Sequence, residues 1–182
     1  LRSKAAFLAQ GDISQTAAIV ASGVTTLNSG NGNTITLSEA TNDFGTLSVV
    51  STGDTVTVVD SNTLDLGLIT SADLTVTAQD ITQSNDVTVI GDITLAANNT
   101  VALTNIDATG NIAVRTETAG ISTNGTVTSG GTLMLDSNTA ISANGALTAG
   151  GSITLAASDG DIAVTTVAGD TVDIVALRGN VS

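Results

Sequence analysis

Residues Ile121–Leu135 read ISTNGTVTSGGTLML and residues Ile141–Leu155 read ISANGALTAGGSITL, so the chain nearly copies itself after a step of 20 residues. In both copies an Ile is followed by Gly at offset ten and by apolar residues at offsets twelve and fourteen. Ile81–Leu95 (ITQSNDVTVIGDITL) carries the same frame, and Ile13–Leu27 carries it with Thr25 at one apolar slot. A unit this short buries too few side chains to offset the entropy of ordering its backbone. It holds only when stacked on copies of itself. The expected body is therefore a solenoid.

Its core must be aliphatic, because 41% of residues are hydrophobic but only 1% are aromatic. Apolar residues alternate with Thr in Asp54-Thr55-Val56-Thr57-Val58 and Asp73-Leu74-Thr75-Val76-Thr77, the period of a strand rather than a helix. Gly, Asn and Asp supply turns and tolerate left-handed backbone. A mean hydropathy of +0.37 separates this composition from that of disordered chains. The absence of proline fits strands that donate to neighbours on both sides.

Apolar strand starts recur at Ile35, Val56, Leu74, Ile93, Ile112, Leu133, Ile153 and Val172. These seven steps cover 137 residues, a mean of about 19.6 per coil, which accommodates three short strands and three turns. About nine coils at ~4.8 Å each predict a rod roughly 45 Å long. Glycines before the starts, at Gly53, Gly91, Gly110, Gly131, Gly151 and Gly169, are expected to stack as a turn ladder. Ala72 holds the equivalent place before Leu74, so that corner needs no positive φ. Ile13 and Ile81 are 68 residues apart, not a multiple of twenty. Coils in the N-terminal half must therefore be longer, or the motif must change face. Residues 1–182 are read as one continuous β-solenoid segment, with LRSKAAFLAQ as part of a coil of a piece cut from a longer protein rather than a signal peptide.

The formal net charge is -13, from 17 acids against Arg2, Lys4, Arg115 and Arg178. That balance argues against nucleic acid and anionic membranes as partners, since each requires a basic stripe. Cysteine is absent, and no apolar run approaches the ~20 residues of a membrane span. His and Tyr are absent as well, and Lys4 is the only lysine. Asp159 and Asp161 in Ser-Asp-Gly-Asp could pair for acid/base chemistry but read better as a turn. Asp54, Asp73 and Asp92 precede successive strands, with Asn33 and Asn111 in comparable places. Stacked carboxylates would draw Ca²⁺ between them, whereas isolated ones cap turns; the turn-cap reading is preferred. Thr36, Thr57, Thr75 and Thr94 predict an outward ladder that passes to Ala113 and Met134, with no persistent partner column. An ice-binding face is the sharper reading of that ladder, and β-propensity on a solvated face the plainer one. Asn98-Asn99-Thr100 and Asn124-Gly125-Thr126 match glycosylation sequons, a pattern common by chance in such a composition. No catalytic residue, cofactor-binding residue, metal ligand or cofactor is assigned, and the chain is read as a non-enzyme.

The phrases NDFGTLSV at Asn42 to Val49, DITQS at Asp80 to Ser84 and GDITLAAN at Gly91 to Asn98 resemble repeats of the filamentous haemagglutinin-like family of secreted bacterial surface proteins. The resemblance implies an all-β, right-handed parallel β-helix exported through an outer-membrane partner. It also implies a role in adhesion, biofilm or host attachment at the bacterial surface or outside the cell. The leading expectation is a non-enzymatic rod segment of an extracellular adhesin. A structural subunit stacking end to end into a filament or sheath stands second, and a solenoid carbohydrate-active enzyme is disfavoured for want of long loops and bases. Self-association through the ends is the one partner expected; the receptor is left open.

Overall fold

Alternating aliphatic and polar residues place one side of every strand in a common interior and the other in solvent. The computed structural model describes residues 4–51, 53 and 55–182, and its regular elements are β-strands in parallel ladders. A nine-stranded sheet forms one face of the solenoid. Its leading column runs Ile13, Ile35, Val56, Leu74, Ile93, Ile112, Leu133, Ile153, Val172, each residue directly opposite the next. All of these except Val172 are buried. The expected starts thus fall in one column, and Ile13 extends it by a rung. Eight turns separate the nine rungs, at about 20 residues per turn.

A second sheet, of twelve strands, wraps the other two faces. In the middle rungs those faces are separate strands, such as Val101–Leu103 and Ile106–Ala108 or Ile121–Thr123 and Val127–Ser129. Nearer the ends they merge into long strands, Val20–Asn28, Asp43–Val50, Thr63–Ser71 and Ile141–Ala149, that carry the chain round the corner. Register slips occur at these corners, between Ala21 and Val24, Leu47 and Val49, and Ala143 and Ala146. Glycine is needed where the backbones meet: a Cβ on Gly45 would lie 2.7 Å from the Ser22 carbonyl carbon.

At this bent corner the motif changes face, one of the two alternatives its 68-residue spacing left open. Ile81, Val101, Ile121, Ile141 and Ile162 form one column of the second sheet. Ile13 instead pairs with Ile35 in the first sheet. Gly23 is then a bend inside a strand rather than a turn glycine, and Thr25 and Leu27 face Leu47 and Val49. Thr25 does point inward, as its slot required, but in a different column. Glycine enters at more than one corner, so an Ile-to-Gly spacing of ten arises on two different pairs of faces.

The glycine ladder forms from Gly91 to Gly151, but Asp170 rather than Gly169 donates to the Gly151 carbonyl, at 2.9 Å, and Gly53 lies against Gly32 instead. Gly91 donates its N–H to the Ala72 carbonyl at 2.6 Å, Gly110 to Gly91 at 3.0 Å, Gly131 to Gly110 at 2.9 Å and Gly151 to Gly131 at 2.8 Å. Its cause is close approach rather than left-handed backbone, because a Cβ on Gly110 would stand 2.6 Å from the Gly91 oxygen. Among the described residues only Gly30 and Gly32 have positive φ, at 84° and 78°.

The interior is a continuous aliphatic column with Phe44 as its largest enclosed side chain. Enclosure fails at the last rung, where Val164, Val167 and Ile174 are half-buried and Val172 is 44% exposed. Ala5, Phe7 and Ala9 are likewise only partly covered in the first rung.

Candidate functional site

The acidic column was expected just ahead of the apolar strand starts of the nine-stranded face, at Asp54, Asp73 and Asp92, and where it forms its side chains cap the following coil. The Asp73 carboxylate accepts the Asp92 N–H at 2.9 Å, and Asp92 accepts the N–H of Asn111 at 2.7 Å and its side-chain amide at 3.1 Å. Asn111 in turn accepts the N–H and hydroxyl of Thr132, both at 2.9 Å, while Asp12 accepts the Thr34 N–H at 2.8 Å. Each side chain reaches up one coil and satisfies a backbone donor that the turn leaves unpaired. Asn33 does not belong to this column; Thr34 and Thr55 hold its slot, with Thr55 opposite Asp73. Asp54 lies outside the described residues.

Asp159 and Asp161 are both exposed in a turn. Asp161 repeats the capping role, accepting the Asn180 N–H at 2.8 Å and its amide at 3.3 Å, while Asp159 donates its own N–H to Asn138. Asp80 does the same one corner away, taking the Thr100 hydroxyl at 2.6 Å and N–H at 3.0 Å. The Thr100 hydroxyl bond holds the Asp80 carboxyl below the usual carboxylate range. These carboxylates use their lone pairs to tie coil to coil. Among the described residues no three His, Cys, Asp or Glu side chains gather to hold a metal ion.

Thr36, Thr57, Thr75, Thr94, Ala113 and Met134 do stack in register on the outer surface. Thr34 and Thr55 stand beside the first two, and the neighbouring slot then passes to Asp73 and Asp92. The hydroxyl array is therefore short. Asn98 and Asn124 of the two sequons are exposed in turns. A shallow depression lined by Gln10, Asn28, Asn31 and Thr70 presents amides and hydroxyls and no titratable group.

The polar residues that sequence reasoning passed over are the buried ones. Gln83 sits in an interior column opposite Leu66, where its amide donates to the Asn85 and Asn105 carbonyls at 2.8 and 2.5 Å and its oxygen accepts the Thr104 N–H at 3.0 Å. Asn42, fully enclosed, joins three coils: it accepts from the Gln15 amide at 2.7 Å and the Ile19 N–H at 2.9 Å, and donates to the Leu37 and Val59 carbonyls at 3.2 and 3.0 Å. Nothing in a local pattern separates such an Asn from a turn Asn. The distant partners are what make it an interior residue.

Short turns, a continuous core and carboxylates committed to backbone caps define a parallel β-solenoid repeat protein. Residues 3–51 and 53–115, more than half of the chain, match the family described as repeats of unknown function (DUF5649), and the chain belongs to that family. No curated protein and no solved structure matches it.

Proposed function

We propose that this chain is a non-enzymatic rod segment of an extracellular bacterial surface adhesin, akin to the filamentous haemagglutinin-like proteins that its repeats resemble. The observation that carries the reading is the unbroken stack: eight turns follow one another in register on the nine-stranded face, joined by short connections that raise no wall around a substrate. A body of this kind spans distance. Antibodies raised against the chain and applied to intact bacteria test the assignment. Labelling of unbroken cells, with weaker surface attachment after deletion of the gene, is the expected outcome, and labelling only after lysis overturns it.

A second reading, a subunit of a homopolymeric filament or sheath, is favoured by the in-register parallel pairing from rung to rung, a ladder that a second copy can continue. Electron microscopy of native extracellular material distinguishes the two. Fibres made of this chain alone support the filament, whereas its presence only within a much longer polypeptide supports the adhesin.

A further inference from the structure

One interior slot breaks the rule that fills the rest of its column. Beyond Val59, which faces Thr77, the chain turns Asp60 into the corner and buries it to 4% exposure. The same slot in later rungs holds Ala78, Ala97, Thr116, Ser137 and Ala157. Asp60 accepts the Phe44 N–H at 2.7 Å and the Asn62 N–H at 3.1 Å, while its own N–H donates to the Thr77 carbonyl at 2.8 Å. Asn42 lies in the same corner; its carbonyl accepts the Ser61 N–H at 2.8 Å and hydroxyl at 2.6 Å, and its side chain reaches back to Gln15 and Ile19. One small polar cluster thus ties together the first three coils. The ionisable groups around it are acidic: Asp43, which accepts the Asn62 amide at 2.8 Å; Glu39, whose carbonyl takes the Asn42 N–H; and Asp80, whose N–H donates to the Asn62 carbonyl. The four basic residues all lie elsewhere in sequence, at positions 2, 4, 115 and 178.

We propose that the Gln15–Asn42–Asp60 corner is an acid-tightened latch, closing on the first three coils when Asp60 carries a proton and loosening when it does not. A carboxylate enclosed without a cation is costly in its charged form, and two N–H donors only partly compensate. Burial raises the Asp60 carboxyl above its ordinary value, the two backbone bonds act against that, and Asp43 adds to the rise. A folded-state value above the unfolded one means that folding takes up a proton. The stability from this group is therefore full in acid and lost as pH rises through the folded value. Acid also relieves the repulsion among the other carboxylates, so the effect must be read against a variant. Thermal melts of the full chain and of Asp60→Asn at about pH 4 and about pH 8 supply that comparison. The variant should gain several degrees on the parent as pH rises; an unchanged difference, or a gain by the parent, overturns the latch. Should Asp60→Asn fail to fold, carbon-13 titration of the Asp60 carboxyl in the parent decides: a midpoint above those of the chain's exposed aspartates supports the proposal, and one at or below them overturns it.

Discussion

Leu135 and Leu155 meet in one interior column and are completely enclosed, so a charge placed there would have neither water nor a counter-ion. Leu135→Asp is expected to cost about 3–5 kcal/mol and to unfold the adjoining coils, which a thermal melt would reveal as a large drop or loss of the transition. The outer carboxylates call for the opposite expectation. Asp73 and Asp92 already spend lone pairs on the next coil's N–H groups. Millimolar Ca²⁺ or a chelator should leave the melting temperature almost unmoved, while a rise of many degrees with Ca²⁺ would establish a cation ladder. At this scale the inward aliphatic residues were legible, because alternation along a strand directly reports which side is buried. Asn42, Asp60 and Gln83 were not legible, since an enclosed amide or carboxyl and a turn residue have the same composition. Only partners sixteen to twenty-seven positions away tell them apart.

Each coil is a cassette, and its boundaries can be placed from the pairing of Ile121 with Ile141. Excising Ile121–Ala140 joins Gly120 to Ile141 and removes one complete turn, so the remaining rungs can re-pair without shifting any side chain from core to solvent. That variant should retain strand circular dichroism and a cooperative melt within a few degrees of the parent. Excising only Ile121–Gly130 removes part of a turn, misaligns all later columns and should abolish the melt. The strand starts from Ile35 to Val172 were readable because nearly constant spacing keeps them on one face. The face occupied by Ile13 was not, because the corner next to Gly23 is crossed by a continuous bent strand instead of a turn. That choice depends on the bulge at Ala21 and Val24, a property of the pairing rather than of the segment itself. From Gly91 to Gly151 the glycine ladder was legible in position but not in cause, which is the contact of one carbonyl with the coil above.

Across the whole molecule, the two terminal rungs are where backbone pairing and core enclosure are incomplete, and the basic guards near them are few: Lys4 and Arg178, with Arg2 outside the described residues. The isolated 182-residue chain is expected to associate end to end as concentration rises, more strongly in salt, because screening weakens the repulsion between bodies of net charge -13. Sedimentation across concentration and ionic strength measures both trends, and a strictly monomeric chain would remove the main support for the filament reading. The direction of the ladders has a mechanical consequence too. Hydrogen bonds between rungs run along the axis of the stack, so tension applied at its two ends opens one row of bonds at a time rather than shearing many together. A coil that rises only ~4.8 Å in the stack releases roughly 65 Å of extended chain when it comes away. Under pull, such a rod would lengthen in steps, absorbing a jolt coil by coil while the rungs still closed keep their hold.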